Sequence, residues 1–204
     1  GVGAYSLGTR HASDFSVVQA MAGAPSWLQY TGGSPRPEEL RAMRPLSGMD
    51  LAENVTNTDF RYYHGRTDTG PMKPRFVEEW EKRLDEVNAA AKGTWYDAGH
   101  DILYMVEKHG RTFGELEKVS RSASPDRVRL VTGDYRAAAQ HWLSVTRIRD
   151  YPTLARVEAT RDGSAITVAT RGVDAFAIDV RAALAGVTGD VNVTVDGAIA
   201  YQGD

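Results

Sequence analysis

The sequence has no cysteine, and this absence excludes several kinds of site at once. Without thiols the chain can form no disulfide, no Cys-ligated zinc site and no thiolate nucleophile, and the redox compartment stays open. No apolar run approaches the roughly 20 residues needed to cross a bilayer. The opening GVGAYSLG does not have the pattern of a signal peptide. The sequence therefore leaves the cellular compartment undetermined.

An excess of charge of one sign is also absent. The chain has 24 Lys and Arg against 27 Asp and Glu, for a net charge of −3, and no basic stripe. This balance predicts no electrostatic attraction to nucleic acid or to an anionic membrane. No residues have metal-ligand spacing, and GVGAYSLG lacks the Lys-Ser/Thr ending of a phosphate-binding loop. We therefore expect no metal, no cofactor, no nucleic acid and no membrane partner.

The first part of the chain alternates strand-like and helix-like segments. Between two of the strand-like runs, Phe76, Trp80, Leu84 and Val87 recur at spacings of three and four residues, as in an amphipathic helix. The alternation predicts a parallel sheet with helices packed outside it. The expected strands are 15–24, 60–63 and 94–96, and the expected helices are 1–11, 37–43, 50–55, 73–91 closed by Lys92-Gly93, 102–107 and 113–119.

The pattern changes at residues 121–125, which read as a linker. Beyond it, apolar residues alternate with period two, and Asp162-Gly163 and Asp196-Gly197 are strong hairpin signals. Several short strands with such turns predict a small antiparallel β-sandwich over 126–204. The expected strands lie at 128–132, 142–148, 154–160, 166–170, 176–180 and 191–195.

Two polar residues follow neighbouring strands of the predicted sheet. Asp68 lies at the tip of a polar turn after the second strand, and His100 follows Gly99 after the third. The carboxyl ends of neighbouring parallel strands share one rim of a sheet, where open α/β sheets keep their sites. We therefore expect Asp68 and His100 to meet there.

The order of these motifs resembles the C-terminal half of an α/β-hydrolase of the esterase or prolyl-oligopeptidase-like type. HGRTD at 64–68 is similar to the family's HG-x-x-D, whose Asp is the acid of the catalytic triad. DAGH at 97–100 is similar to the segment that carries the triad His. The resemblance covers residues 1–120, and the segment from 126 onward resembles, less closely, a β-sandwich appended to some bacterial members. It implies a partial α/β-hydrolase sheet with flanking helices, followed by an accessory domain.

The start of the chain resembles the helix and strand directly after the family's nucleophile elbow. If Arg10-His11 aligns with the end of that helix, the nucleophilic Ser lies three residues before Gly1, outside the chain. A second register makes Ser6 the nucleophile of an A-x-S-x-G elbow. It leaves too few residues for the helix that an elbow must feed before the turn at 12–14, and no strand precedes it. We therefore expect the first register.

The resemblance implies acyl transfer, with Asp68 and His100 as the triad acid and base and Trp27, in a loop, lining the substrate pocket. The substrate would be an ester or a peptide, and the preference between them stays open. The expected partner is the N-terminal half of the hydrolase domain, from the same precursor or another chain. Because half a parallel sheet exposes an apolar edge, association with copies of the same chain is the other expectation.

Other interpretations of the same residues stay open. Asp68 could be a turn residue, His100 could be a solvated surface side chain, and Asp97 is the second candidate partner for His100. His64 is expected to form a structural hydrogen bond. The chain could also be a pseudoenzyme, or a binding or assembly module whose sandwich recognises carbohydrate or protein. Against the latter, the aromatics Trp142, Tyr151 and Tyr201 are scattered along the sequence.

Overall fold

The computed structural model describes residues 1–111, 114 and 116–203. The fold is mixed α/β, and the chain divides into two compact units, Gly1–Arg121 and Ser122–Asp204. Within the described residues, no helix has the length and apolar character to cross a membrane. The helix predicted at 113–119 includes residues that lie outside the described part of the chain.

The first unit is built on a three-stranded parallel sheet in the order β1-β2-β3. Its strands are β1 (Val17–Met21), β2 (Asp59–Gly65) and β3 (Lys92–Tyr96). Its helices are α1 (Val2–Arg10), α2 (Trp27–Thr31), α3 (Pro37–Met43), α4 (Pro74–Glu86) and α5 (Leu103–Lys108). The segment predicted to be helical at 50–55 is a 3₁₀ helix at Ala52–Asn57.

An aromatic cluster holds α1 and α4 against the sheet. Trp80 of α4 is fully buried, with its ring centroid 5.5 Å from that of Tyr5 and 5.6 Å from that of Phe60. The apolar pattern predicts Phe76 on the buried face of α4, but Phe76 is only half-buried. Val77 is buried there instead. Aromatic side chains bury a large area each, so this cluster supplies much of the unit's core.

Helix α4 ends at Glu86, and the prediction that Lys92-Gly93 closes it is wrong. The backbone turns at Asn88, which adopts a left-handed conformation with φ of 49°. Asn tolerates that conformation better than most residues. Gly93 lies instead within β3, where a Cβ atom would be 2.3 Å from the hydroxyl oxygen of Tyr62. The glycine is required by close packing and not by a helix cap.

The second unit contains two sheets that contribute to one hydrophobic cluster. The five-stranded sheet has the order β11-β10-β8-β7-β4, and the three-stranded sheet has the order β5-β6-β9. The strands are β4 (Arg127–Thr132), β5 (Ala139–Gln140), β6 (Leu143–Ile148), β7 (Ala155–Asp162), β8 (Ala165–Arg171), β9 (Val173–Ile178), β10 (Val191–Val195) and β11 (Ala198–Gly203).

Both Asp-Gly pairs form hairpin turns, between β7 and β8 and between β10 and β11. Two details differ from the sequence prediction. The sheet is not wholly antiparallel, because β10 runs parallel to β8. Val180 does not extend β9 but begins the short helix α6 (Val180–Ala183), because the Asp179 side chain accepts a hydrogen bond from the Ala182 amide and caps that helix.

Candidate functional site

The loops after β2 and β3 are joined by main-chain hydrogen bonds. The Arg66 amide donates to the Tyr96 carbonyl at 2.8 Å, and the Thr67 amide donates to the Ala98 carbonyl at 3.1 Å. These bonds extend the pairing of β2 and β3 beyond the strands. They hold the loop that carries Asp68 beside the loop that carries His100.

Gly65 allows the two loops to approach this closely. A Cβ atom at residue 65 would lie 2.0 Å from the carbonyl oxygen of Gly99 and 2.4 Å from that of Ala98. Because both neighbours are main-chain atoms, they could not move aside without displacing the loop. Residue 65, the last of β2, must therefore be a glycine, because a side chain there would collide with the main chain directly before His100.

Asp68 and His100 form a hydrogen-bonded pair. Nδ1 of His100 lies 3.0 Å from Oδ2 of Asp68, and Oδ1 of Asp68 accepts the Thr69 amide at 2.7 Å. The Asp68 side chain is 3% exposed, whereas that of His100 is 64% exposed. A carboxylate that accepts from Nδ1–H fixes the imidazole tautomer in which Nε2 carries the lone pair. A buried carboxylate thus orients a solvent-accessible imidazole.

His64 lies behind Asp68 and secures its loop. Its Nε2 is 2.8 Å from the Met72 carbonyl and 4.0 Å from Oδ2 of Asp68. Because a carbonyl can only accept, Nε2 carries the hydrogen, and Nδ1 is a buried nitrogen without a hydrogen-bond partner in the described part of the chain. Burial lowers the pKa of His64 below its usual 6.5. A neutral His64 does not compete with His100 for the Asp68 carboxylate.

The lowered pKa of His64 gives a pH-dependent stability. In the unfolded chain His64 binds a proton near pH 6.5, whereas in the folded chain it binds one only at lower pH. The free energy of unfolding should therefore fall as the pH drops below 6.5. His64→Gln keeps a donor for the Met72 carbonyl and removes the titration. We expect the free energy of unfolding of this variant to change less with pH between 5 and 7 than that of the wild type. The two slopes should differ by at most about 1.4 kcal/mol per pH unit. Urea unfolding across this range measures the difference, and identical slopes for both proteins would contradict it.

The N-terminal end of α1 lies at the same rim of the sheet as Asp68 and His100. Gly1 caps this helix, and Gly23, just after β1, is so close that a Cβ there would lie 2.5 Å from the Gly1 carbonyl carbon. The start of α1, Asp68 and His100 therefore lie at the same end of the sheet.

Trp27 is the first residue of helix α2. The sequence prediction that it lies in a loop is wrong. The Ser26 side chain accepts the Gln29 amide at 3.1 Å and caps this short helix. The Trp27 ring is half-buried and packs edge-on against Tyr30, with ring centroids 5.7 Å apart. Helix α2 contacts the turn at Gly70–Met72, which follows Asp68. The helix that carries Trp27 thus adjoins the Asp68 loop.

The structure also places the other candidate residues. The Asp97 side chain is 94% exposed and pairs with Arg66 at 3.4 Å, while His100 bonds to Asp68. Ser6 is buried in the middle of α1, so it does not occupy a turn between a strand and a helix. Among residues 1–111, 114 and 116–203, no group of three His, Asp or Glu side chains could hold a metal ion.

No family model and no curated protein matches this sequence. Solved structures do align with 55% of the chain. Dipeptidyl peptidase 4 of Porphyromonas gingivalis aligns at 17% identity over 18% of its own length, with a TM-score of 0.45. Acylaminoacyl peptidase of Pyrococcus horikoshii aligns at 15% identity over 22% of its length, with a TM-score of 0.43. An esterase of Pyrococcus furiosus aligns at 21% identity over 48% of its length, with a TM-score of 0.36.

The chain thus spans less than half the length of each of these hydrolases. Likeness at these identities and scores does not identify which residues of this chain act. The structure shows, independently of these likenesses, that Asp68 and His100 are hydrogen-bonded to each other. The hydrogen bond from His64 to the Met72 carbonyl confirms the structural hydrogen bond expected of His64. The contact of Gly65 with the Ala98–Gly99 main chain was not predicted. Its one sequence signal is the Gly that follows His64 in the HG-x-x-D pattern.

Proposed function

We propose that this chain supplies the acid and the base of a serine hydrolase that acts by acyl transfer, with the nucleophilic Ser upstream of residue 1. The observation that supports it best is the 3.0 Å hydrogen bond between buried Asp68 and exposed His100. The Asp68 carboxylate is buried and is oriented by the Thr69 amide, so its second oxygen is held in position to bond to His100. A histidine that was only a surface residue would not require this arrangement. Buried carboxylates are costly unless they are paired.

Each residue has a defined role in the proposed reaction. Asp68 accepts the Nδ1 hydrogen of His100 and stabilises the imidazolium that forms during the reaction. Nε2 of His100 takes the serine proton as the serine oxygen attacks the acyl carbon, and it then returns that proton to the leaving group. Water repeats the sequence to release the acid. General acid–base assistance of this kind contributes roughly 10²–10⁴-fold.

The position of α1 supports a nucleophile before Gly1. In the elbow of an α/β-hydrolase the Ser sits at a turn between a strand and a helix. Helix α1 begins at Val2, and its start lies at the rim that carries Asp68 and His100. A Ser three residues before Gly1 would therefore enter the site from the start of this helix.

The edge of the sheet supports a partner segment. In the described residues, β1 pairs with β2 on one side and has no strand on the other. An unpaired edge of a parallel sheet favours addition of another strand. The proposed occupant is the N-terminal half of the hydrolase domain, from the same precursor or another chain, and a second copy of this chain is the alternative.

The proposed substrate is an ester or a peptide. Helix α2, which carries Trp27, adjoins the Asp68 loop, so its half-buried ring is available to pack against the acyl group. The 122–204 unit, with two sheets over one hydrophobic cluster, serves in this proposal as a β-sandwich accessory domain.

A fluorophosphonate probe tests the location of the nucleophile. We expect the 204-residue chain to remain unlabelled, because its only serine at an elbow-like sequence, Ser6, is buried in a helix. The same probe should label a longer polypeptide that includes the upstream sequence. Mass spectrometry after proteolysis reports the site, and labelling of Ser6 would overturn the proposed register.

A further inference from the structure

A small polar cavity lies against one face of the sheet in the first unit. Its volume is about 150 Å³, and it is lined by Arg61, Tyr63, Lys92, Thr94 and Arg111. The first four occupy facing positions of β2 and β3, so their side chains share one face of the sheet. The alternate residues of β2, Phe60 and Tyr62, point to the opposite face, where they belong to the cluster that includes Trp80. The cavity is thus separate from the core beneath α1 and α4.

The wall of this cavity carries a surplus of positive charge. Three of its five lining residues are cations, namely Arg61, Lys92 and Arg111. The neighbouring Asp59 carboxylate lies 2.6 Å from the Arg61 guanidinium and 2.9 Å from Nζ of Lys92, and it offsets one of these charges. Arg61 is buried, so its charge is screened less by water than that of a surface side chain. Such a surplus attracts an anion to the cavity.

Arg111 is held beside the sheet by three hydrogen bonds. Its amide donates to the Val106 carbonyl at 3.1 Å, and its carbonyl accepts from Nε2 of Gln19 at 2.6 Å. Its Nη1 donates to Oγ1 of Thr94 at 2.7 Å, which uses one of the five N–H donors of a guanidinium. Because the side chain is already ordered at the cavity, little conformational entropy is lost when it binds a ligand.

Two hydroxyl groups of the cavity wall act only as acceptors among the described residues. The Tyr63 oxygen accepts from the Arg61 guanidinium and from Nε2 of Gln19 at 3.3 Å. Nε2 belongs to the NH₂ group because it also bonds to a carbonyl, which can only accept. The Thr94 oxygen accepts from Arg111. Each hydroxyl therefore has a hydrogen to donate, and Tyr63 is only 3% exposed. A buried donor is costly without an acceptor, so the cavity favours a ligand rich in acceptors.

The size of the cavity limits the ligand to a compact group. A water molecule occupies about 30 Å³ in the liquid, so 150 Å³ accommodates a group of about five heavy atoms. Sites for drug-sized organic ligands are larger, at roughly 300–1,000 Å³. A phosphate group combines small size with a charge of about −1.5 to −2 at pH 7 and at least three acceptor oxygens. A monocarboxylate has less charge and fewer acceptors, so it matches this wall less well.

We propose that this cavity binds a phosphate group, either inorganic phosphate or the terminal group of a small phosphate monoester. The Arg111 guanidinium and the hydroxyls of Tyr63 and Thr94 donate to the phosphate oxygens. Arg61 and Lys92 stabilise the bound negative charge. The inference does not depend on the proposed hydrolase activity, because Arg61 lies four residues before the end of β2, roughly 13 Å from the catalytic rim of the sheet.

Isothermal titration calorimetry of the 204-residue chain with sodium phosphate, at neutral pH and fixed ionic strength, tests the site. We expect a Kd of about 1 mM or lower, the affinity that two or three charge-assisted hydrogen bonds supply. Tyr63→Phe removes one oxygen atom and should weaken binding at least about tenfold. Tyr62→Phe is the matched control and should bind like wild type, because the Tyr62 hydroxyl donates to Glu81 on the opposite face of the same strand.

Variants of Arg111 and Thr94 test the other donors. Arg111→Gln should weaken phosphate binding at least about tenfold, and Arg111→Lys, which keeps the charge, should bind more tightly than Arg111→Gln. Thr94→Val keeps the shape of a half-buried side chain and should also weaken binding. Circular dichroism verifies that each variant folds. Phenyl phosphate distinguishes the two sources, because affinity equal to that of phosphate indicates a phosphate monoester and affinity about tenfold weaker indicates the free ion.

Two results would overturn the proposal. One is that phosphate binds the wild-type chain no more tightly than acetate does at the same ionic strength, which would show that the cavity does not select a phosphate group. The other is that Tyr62→Phe and Tyr63→Phe lose affinity equally, which would show that phosphate does not bind at this face of the sheet.

Discussion

Replacing Asp68 with Asn in a polypeptide that includes the upstream sequence is expected to lower kcat for an ester substrate by about 10⁴-fold. The amide has the size of the carboxylate but can present its NH₂ group to Nδ1 of His100, which favours the wrong tautomer. His100→Ala should be at least as damaging, because it removes the base itself. Hydrolysis of p-nitrophenyl butyrate measures both losses, and circular dichroism verifies that the variants fold.

Asp97→Asn is the matched control for this series. Asp97 lies in the loop that carries His100, three residues before it, but its side chain is 94% exposed and pairs with Arg66. Its removal should change kcat by less than about twofold, because an exposed ion pair contributes little. A large loss in Asp97→Asn together with a small loss in Asp68→Asn would reverse the assignment of the acid. Full activity in His100→Ala would reject the proposed chemistry.

Gly65→Ala is expected to damage the site without altering any group that takes part in the reaction. The new Cβ would lie 2.0 Å from the Gly99 carbonyl oxygen, so the loops that carry Asp68 and His100 must separate. A displacement of about 1 Å in a catalytic group can cost roughly 10²-fold in rate. Overpacking of this kind also costs about 1–3 kcal/mol of stability. We expect both effects, measured by kcat and by urea unfolding.

Gly99→Ala provides the comparison, since it adds the same methyl group on the other side of this contact. No atom lies within 4 Å of the position that its Cβ would occupy, and its φ lies outside the left-handed range. We expect activity and stability close to those of wild type. If Gly65→Ala were as active and as stable as Gly99→Ala, the close approach of the two loops would not matter for the site.

The meeting of Asp68 and His100 could be expected from the sequence because it depends on local signals. Each follows a short apolar strand, and parallel neighbouring strands end at the same rim. The helix at Pro37–Met43 was likewise predictable, because proline and two glutamates mark its first turn. Such features are determined by residues close to each other in the chain.

Features that depend on distant packing could not be predicted in this way. In the sequence, Gly93 has the signature of a helix cap, but in the fold it leaves room for the hydroxyl of Tyr62. The parallel pairing of β10 with β8 is set by the path of the chain through α6, which a pattern of alternating residues does not reveal. The stacking of Tyr135 on Tyr151 depends on the same kind of long-range arrangement. Trp27 was misplaced for a local reason, because the capping role of Ser26 was overlooked.

The most direct test of the proposed triad is to map the fluorophosphonate adduct in the longer polypeptide and to measure its rate of formation with and without His100. The proposal predicts one modified serine, three residues before Gly1, and a rate that falls by several orders of magnitude in His100→Ala. An adduct on any serine between Gly1 and Asp204, or an equal rate in the two proteins, would contradict it.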